Sequence, residues 1–300
     1  MGYLSKIEWT DHTFNPWWGC TKISPACDFC YAESFSRRLG MDIWSSRNKR
    51  RFLSESNWKQ PLKWNAKAAA KGERARVFCA SMSDVFEYKK GLTALRDRLW
   101  SLIDSTPSLI WLLLTKRPHL VNRMVPWSED WPSNVWIGTT VEDQKWLQKR
   151  LPHVEKIPTT NRFLSCEPLL GSIDLGSWLA RDIIRWVIAG GESGSCARPS
   201  DPQWFYSLRD QCQQYQIPFH FKQWGNWAPI NSVKEGVPRA TLNENFSTSM
   251  GRFPKKIAGR SLEGRYWNQL PKELFIGGRG NGTAPFLNKK YGKHCRNKPI

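Results

Sequence analysis

The sequence predicts an α/β protein built on a buried parallel sheet, open or curled into a barrel. Two patterns carry that prediction. Short apolar or β-branched runs recur at 77–81, 110–115, 135–140, 162–165, 186–189 and 218–222, and the segments between them are long enough for crossover helices. Five of the six runs end in a polar residue and the sixth, 186–189, leads through two glycines to Glu192 and Ser193, so polar groups gather at the carboxyl ends, where such folds place their chemistry. A further strand is expected near 14–18, then a loop over 19–31 bearing three cysteines, then a first helix over 31–39. Between the first two runs Leu92, Leu95, Leu99 and Leu102 recur at helical spacing. Ser200-Asp-Pro opens another helix with cap chemistry, and Pro218 re-enters a strand, whereas the helix after Leu169 is weakly signalled. Residues 1–225 are read as this α/β unit, with a basic insertion near 47–76. Residues 226–300, rich in Gly, Pro, Lys and Arg, are read as a basic, largely irregular extension that packs on the barrel or folds around a ligand, with disorder of the last fifteen or so residues as the alternative.

Composition narrows the function classes. The 300 residues carry 45 Lys and Arg against 26 Asp and Glu, a formal charge of +19, and 40% hydrophobic content supports a packed core rather than a disordered chain. The longest apolar runs, such as 110–114, are too short to cross a bilayer, and the first residues lack a secretory apolar segment. Lys6 stands where a myristoylation signal needs Ser or Thr. A cytoplasmic protein without a membrane partner is expected. Residues 47–76 hold ten Lys and Arg with two acids, and 251–300 hold twelve with two. Such a field attracts polyanions, nucleic acid first among them. Trp58, Trp64, Trp146 and Trp186 each adjoin a Lys or Arg, the pairing that stacks bases while holding phosphates.

Cys20, Cys27 and Cys30 cluster with six residues and then two between them, while the other five cysteines are scattered. Three thiolates on one loop can hold a [4Fe–4S] cluster and leave one iron open. Zinc is the rival, although no second Cys-x-x-Cys exists and His12 is the one histidine nearby in sequence. The strand ends add Ser81, Ser83, Asp84, Lys116, Arg117, Thr139, Thr140, Glu142, Glu167, Glu192, Lys222 and Trp224, enough to line a polar pocket.

The segments Asn15-Pro-Trp-Trp-Gly-Cys20 and Cys30-Tyr-Ala-Glu33 resemble the signature of a phage-associated family whose genomic neighbour is known as the three-Cys-motif partner protein. The resemblance continues through Trp136–Glu142, Ser165–Pro168, Ala189–Ser193 and Phe221–Gly225, covering most of residues 7–270. That family is similar to the radical S-adenosylmethionine superfamily, with Phe29 in the aromatic position before the last cysteine. The first cysteine gap is six residues where the superfamily usually has three. Ser81-Met-Ser-Asp84 stands where a Gly-Gly-Glu would end the second strand.

The resemblance implies a partial (β/α)6 TIM-like barrel, a [4Fe–4S] cluster on Cys20, Cys27 and Cys30, and S-adenosylmethionine on its open iron, cleaved to a 5′-deoxyadenosyl radical. On strand-end position, Ser81, Ser83 and Asp84 are then expected at the methionine moiety and Thr139, Thr140 and Glu142 near the ribose. Glu167, Glu192, Lys116, Lys222 and Trp224 are expected on the substrate side. The function expected is modification or repair of a base in phage-related DNA, ahead of RNA, with the three-Cys-motif partner protein as a possible companion. A zinc-stabilised, non-catalytic nucleic-acid-binding protein is the alternative, and a radical enzyme acting on a protein or small metabolite a third.

Overall fold

The computed structural model describes residues 5, 7–234, 236–238 and 241–274. Seven strands form one sheet in chain order: β1 (His12–Phe14), β2 (Ala75–Cys79), β3 (Leu109–Thr115), β4 (Val135–Thr140), β5 (Arg162–Cys166), β6 (Val187–Gly190) and β7 (Phe219–Gln223). Every neighbouring pair is parallel. The sheet curls into a half-barrel of six strand–crossover units and a seventh strand, the architecture of a partial TIM-like barrel.

The crossovers carry α1 (Tyr31–Arg38), α2 (Gln60–Ala70), α3 (Thr93–Asp104), α4 (Gln144–Glu155) and α5 (Pro202–Gln214). Two crossovers hold shorter pieces: a 3-10 turn leading into Val121–Met124, and Gly176–Leu179 after the weakly signalled Leu169. Local chemistry sets the helix starts. Asp143 caps α4 by accepting from the Trp146 amide at 2.9 Å. Asp201 caps α5 by accepting from the Gln203 amide at 2.9 Å, with Pro202 at the first helical position.

Alternation along the strands assigns two faces. Val135 and Ile137 of β4 join Val77, Trp111 and Leu113 against Trp64, Leu99 and Ile103 of the helices. Trp136 points to the inner face and meets Trp9, Phe78, Phe163, Trp186 and Ile188. Gly138 makes room there, since a Cβ on it would lie 2.3 Å from the Phe163 ring. With Leu274 beneath, these side chains close the amino-terminal end of the barrel. Trp58, Trp64 and Trp186 are core residues and stack no bases, whereas Trp146 is half-buried.

Residues 47–76 form part of the first crossover. Arg51–Phe52 pairs antiparallel with Trp17–Trp18, and α2 buries Trp64 and Ala68. The described residues between 226 and 274 are folded rather than irregular. Trp227–Pro229, Leu242–Asn243 and Met250–Arg252 make an antiparallel sheet, and Trp227, Met250, Phe253, Leu262 and Trp267 share one core with Phe205 and Phe219. That core runs across the expected boundary at 225/226. The alternative, disorder of the last fifteen or so residues, falls outside the described residues.

His220 of β7 lies on the inner face, 2% exposed, its ring edge-on to Trp186 and neither nitrogen hydrogen-bonded among the described residues. Burial, reinforced by Arg260, Lys222 and Arg76, holds its pKa well below the ordinary imidazole range. The unfolded chain therefore binds one more proton than the folded chain once the pH drops below about 6.5. Stability present above that pH is lost on acidification, by up to ~1.4 kcal/mol per pH unit. Urea unfolding at neutral and mildly acid pH should show this loss, and His220→Phe should flatten it. An unchanged slope in the variant would refute the assignment.

Candidate functional site

The cysteine loop lies over the carboxyl ends of β2, β3 and β4, tied to each. Asn15 donates to Ser81 Oγ at 3.0 Å and accepts from the Met82 amide at 2.6 Å. Gly19 has φ +105° and donates to the Met82 carbonyl at 2.9 Å, and a Cβ there would sit 2.4 Å from the Ile43 carbonyl oxygen. Arg117, at the end of β3, donates to the Thr21 carbonyl at 2.6 Å and to Cys20 Sγ at 3.6 Å. The Ala26 amide faces Glu142, after β4, at 3.5 Å. Cys30 opens α1, and the Tyr31 hydroxyl donates to the Ser81 carbonyl at 2.7 Å.

Cys20 and Cys30 pack against one small apolar cluster with Ala32, Trp44 and Met82. Burial pushes the Cys20 thiol up to about 12 against the opposing pull of Arg117, and burial likewise raises Cys30. Each thiol has a cation within electrostatic reach: Arg117 for Cys20, Lys116 for Cys30 and Arg150 for Cys27. Among the described residues no three His, Cys, Asp or Glu side chains converge on one metal-ion position. The donor set nevertheless suits an iron–sulfur cluster: three soft ligands on one loop, with cations ready to offset thiolate charge.

The strand-end residues divide by the face they occupy. On the inner face Lys116 Nζ donates to Thr140 Oγ1 at 3.2 Å. Glu167 lies over Gly190, at 3.4 Å from where a Cβ would be, and pairs with Lys222 Nζ at 2.7 Å. Ser81 reaches the same rim through Asn15 and Tyr31. These five stand together above the aromatic floor.

The other acids are absorbed by the framework. Asp84 pairs with Arg117 at 2.8 Å and accepts from Thr115 Oγ1 and from the Phe86 and Lys116 amides. Its oxygens are committed to protein donors rather than left for a methionine group. Glu142 pairs with Arg150 at 2.6 Å, and both are buried. Glu192 is gripped by Arg198, which also donates to the Pro25 carbonyl and lies 5.0 Å from the Phe29 ring centre. Thr139 is fully buried and donates to the Thr115 carbonyl at 2.9 Å. Ser83 Oγ is buried without a partner among the described residues, beside the bridge from its backbone to Gly19. Trp224, expected on the substrate side, is instead a core residue, 2% exposed between Phe205 and Phe221, its indole donating to the Ser261 carbonyl. Tyr31, Asn15, Arg150 and Arg198 were not singled out from the sequence. Asn15 and Tyr31 stood there only as members of the two quoted cysteine-loop segments, without a role, and Arg150 and Arg198 carried no signal.

A family model described as "Protein of unknown function (DUF5131)" matches residues 4–271. No curated protein and no solved structure matches the chain.

Proposed function

The chain belongs to the DUF5131 family, and from its site we propose a radical S-adenosylmethionine enzyme that modifies or repairs a base in nucleic acid, DNA ahead of RNA. The observation that carries this reading is the three-thiol loop pinned over the carboxyl ends of a parallel half-barrel, with the Arg117 guanidinium 3.6 Å from Cys20 Sγ. Cys20, Cys27 and Cys30 would hold a [4Fe–4S] cluster. When bound, cluster and S-adenosylmethionine supply one-electron cleavage of a sulfonium and hydrogen abstraction, chemistry no side chain can perform.

The chain's own part is orientation and exclusion of water. Ser81, Lys116 and Thr140 offer hydrogen bonds at the rim. Lys222 Nζ donates to the Glu167 carboxylate at 2.7 Å on the inner face. The aromatic floor keeps water from below. Asp84 and Glu142 act as positioning residues, through Arg117 and the Ala26 amide.

The test is metal analysis of protein purified and reconstituted without oxygen, read with its visible absorbance. About four irons per chain, with a broad band bleached by dithionite, are expected. Release of 5′-deoxyadenosine from S-adenosylmethionine should follow under reduction. One zinc per chain and no iron uptake would replace this reading with a zinc-stabilised binding protein.

A further inference from the structure

At the carboxyl-end rim, between the cysteine loop and α4 and sharing Lys116 with the inner face, lies an open cavity of about 520 Å³. Its walls carry Lys89, Lys116, Lys149, His119 and His153, with Trp146 and the exposed Tyr88 between them. The one carboxylate in the lining, Glu87, is neutralised by Arg50 through contacts of 2.6 and 2.8 Å. The positive field is felt locally: partial burial, then His153, Arg117 and Arg123, lower the pKa of His119.

At the floor Arg150 is 3% exposed and lies 4.2 Å from the Trp146 ring centre. It donates through Nη1 to Glu142 and the Thr140 carbonyl, while Nε and Nη2 find no partner among the described residues. Lys149 Nζ sits 4.8 Å from the same indole. Two cations on a half-buried indole, over unsatisfied guanidinium donors, form a surface suited to an anion carrying a flat ring. S-adenosylmethionine, with its cationic sulfonium and no phosphate, fits this cavity poorly.

We propose that the cavity binds a nucleic-acid strand, its cations on phosphates and one base stacked on Trp146. The inference names where the polyanion of the proposed function is held. It rests on that reading only for the substrate class and needs neither iron nor S-adenosylmethionine.

Binding of a fluorescein-labelled 12-nucleotide single-stranded DNA, followed by anisotropy without reductant or cofactor, tests it. Lys149→Glu should weaken binding by about tenfold and flatten the salt dependence by about one phosphate contact. Lys145→Glu, the same charge change on an exposed α4 residue outside the cavity, should cost less than about threefold. Trp146→Ala should weaken binding by at least about fivefold with the salt slope kept, and Trp146→Tyr should restore most of it. Equal losses at Lys149 and Lys145 would mean a diffuse field and overturn the proposal, as would unchanged binding by Trp146→Ala. Competition by ATP as strong as by unlabelled strand would reassign the site to a free nucleotide. Since redox chemistry is not read out, a failed iron reconstitution leaves this result standing, and the reverse.

Discussion

Single replacement of Cys20, Cys27 or Cys30 by alanine should drop reconstituted iron from about four per chain to background, while Cys212→Ala keeps it. The three thiols sit on one loop, so losing any one removes a third of the proposed ligand set. Cys212 is fully buried on α5 among Leu208, Phe205 and Ile217, on the helical side of the sheet. Its thiol contributes packing, and the alanine variant should lose only modest stability. Full iron in Cys20→Ala would refute the ligand assignment.

Arg117→Ala should be among the most destabilising single substitutions in the protein. The guanidinium spans two structures at once, donating to Asp84 at 2.8 Å and to the Thr21 carbonyl at 2.6 Å, with both charged side chains under a tenth exposed. Removing it strands the Asp84 carboxylate in the interior, which typically costs about 3–5 kcal/mol. The same change frees the cysteine loop from β3, so iron uptake should fall with stability. Urea unfolding measures the first effect. The double variant Arg117→Ala/Asp84→Asn should regain part of the lost stability, because the stranded charge is gone, while the loop stays unlatched and iron uptake stays low. Equal stability of the single and double variants would show that the buried charge is not the cause.

Strand positions were legible because buried β-branched runs bounded by turns leave a plain trace. The six runs match β2 to β7 to within about two residues. The folded region after residue 225 was not legible. Its strands are two or three residues long, too short for alternation to register, and its core tryptophans sit among Gly, Pro and Lys. At the site, the sequence placed the right residues at the strand ends without deciding their faces. Thr139 and Thr140 are adjacent, yet one bonds into the sheet and the other meets Lys116. Lys116 and Arg117 divide in the same way. A one-residue difference in phase exchanges lumen and framework, and nothing in a polar cluster fixes that phase. Some acids find an arginine distant in the chain, as Glu87 does with Arg50 and Asp84 with Arg117.

The aromatic cluster at the amino-terminal end of the half-barrel gives the site a direction. Trp9, Trp136, Trp186 and Phe163 fill the space below the polar rim, and the cysteine loop lies over the opposite end. Anything held at the rim therefore has a hydrocarbon surface on one side and the thiols on the other.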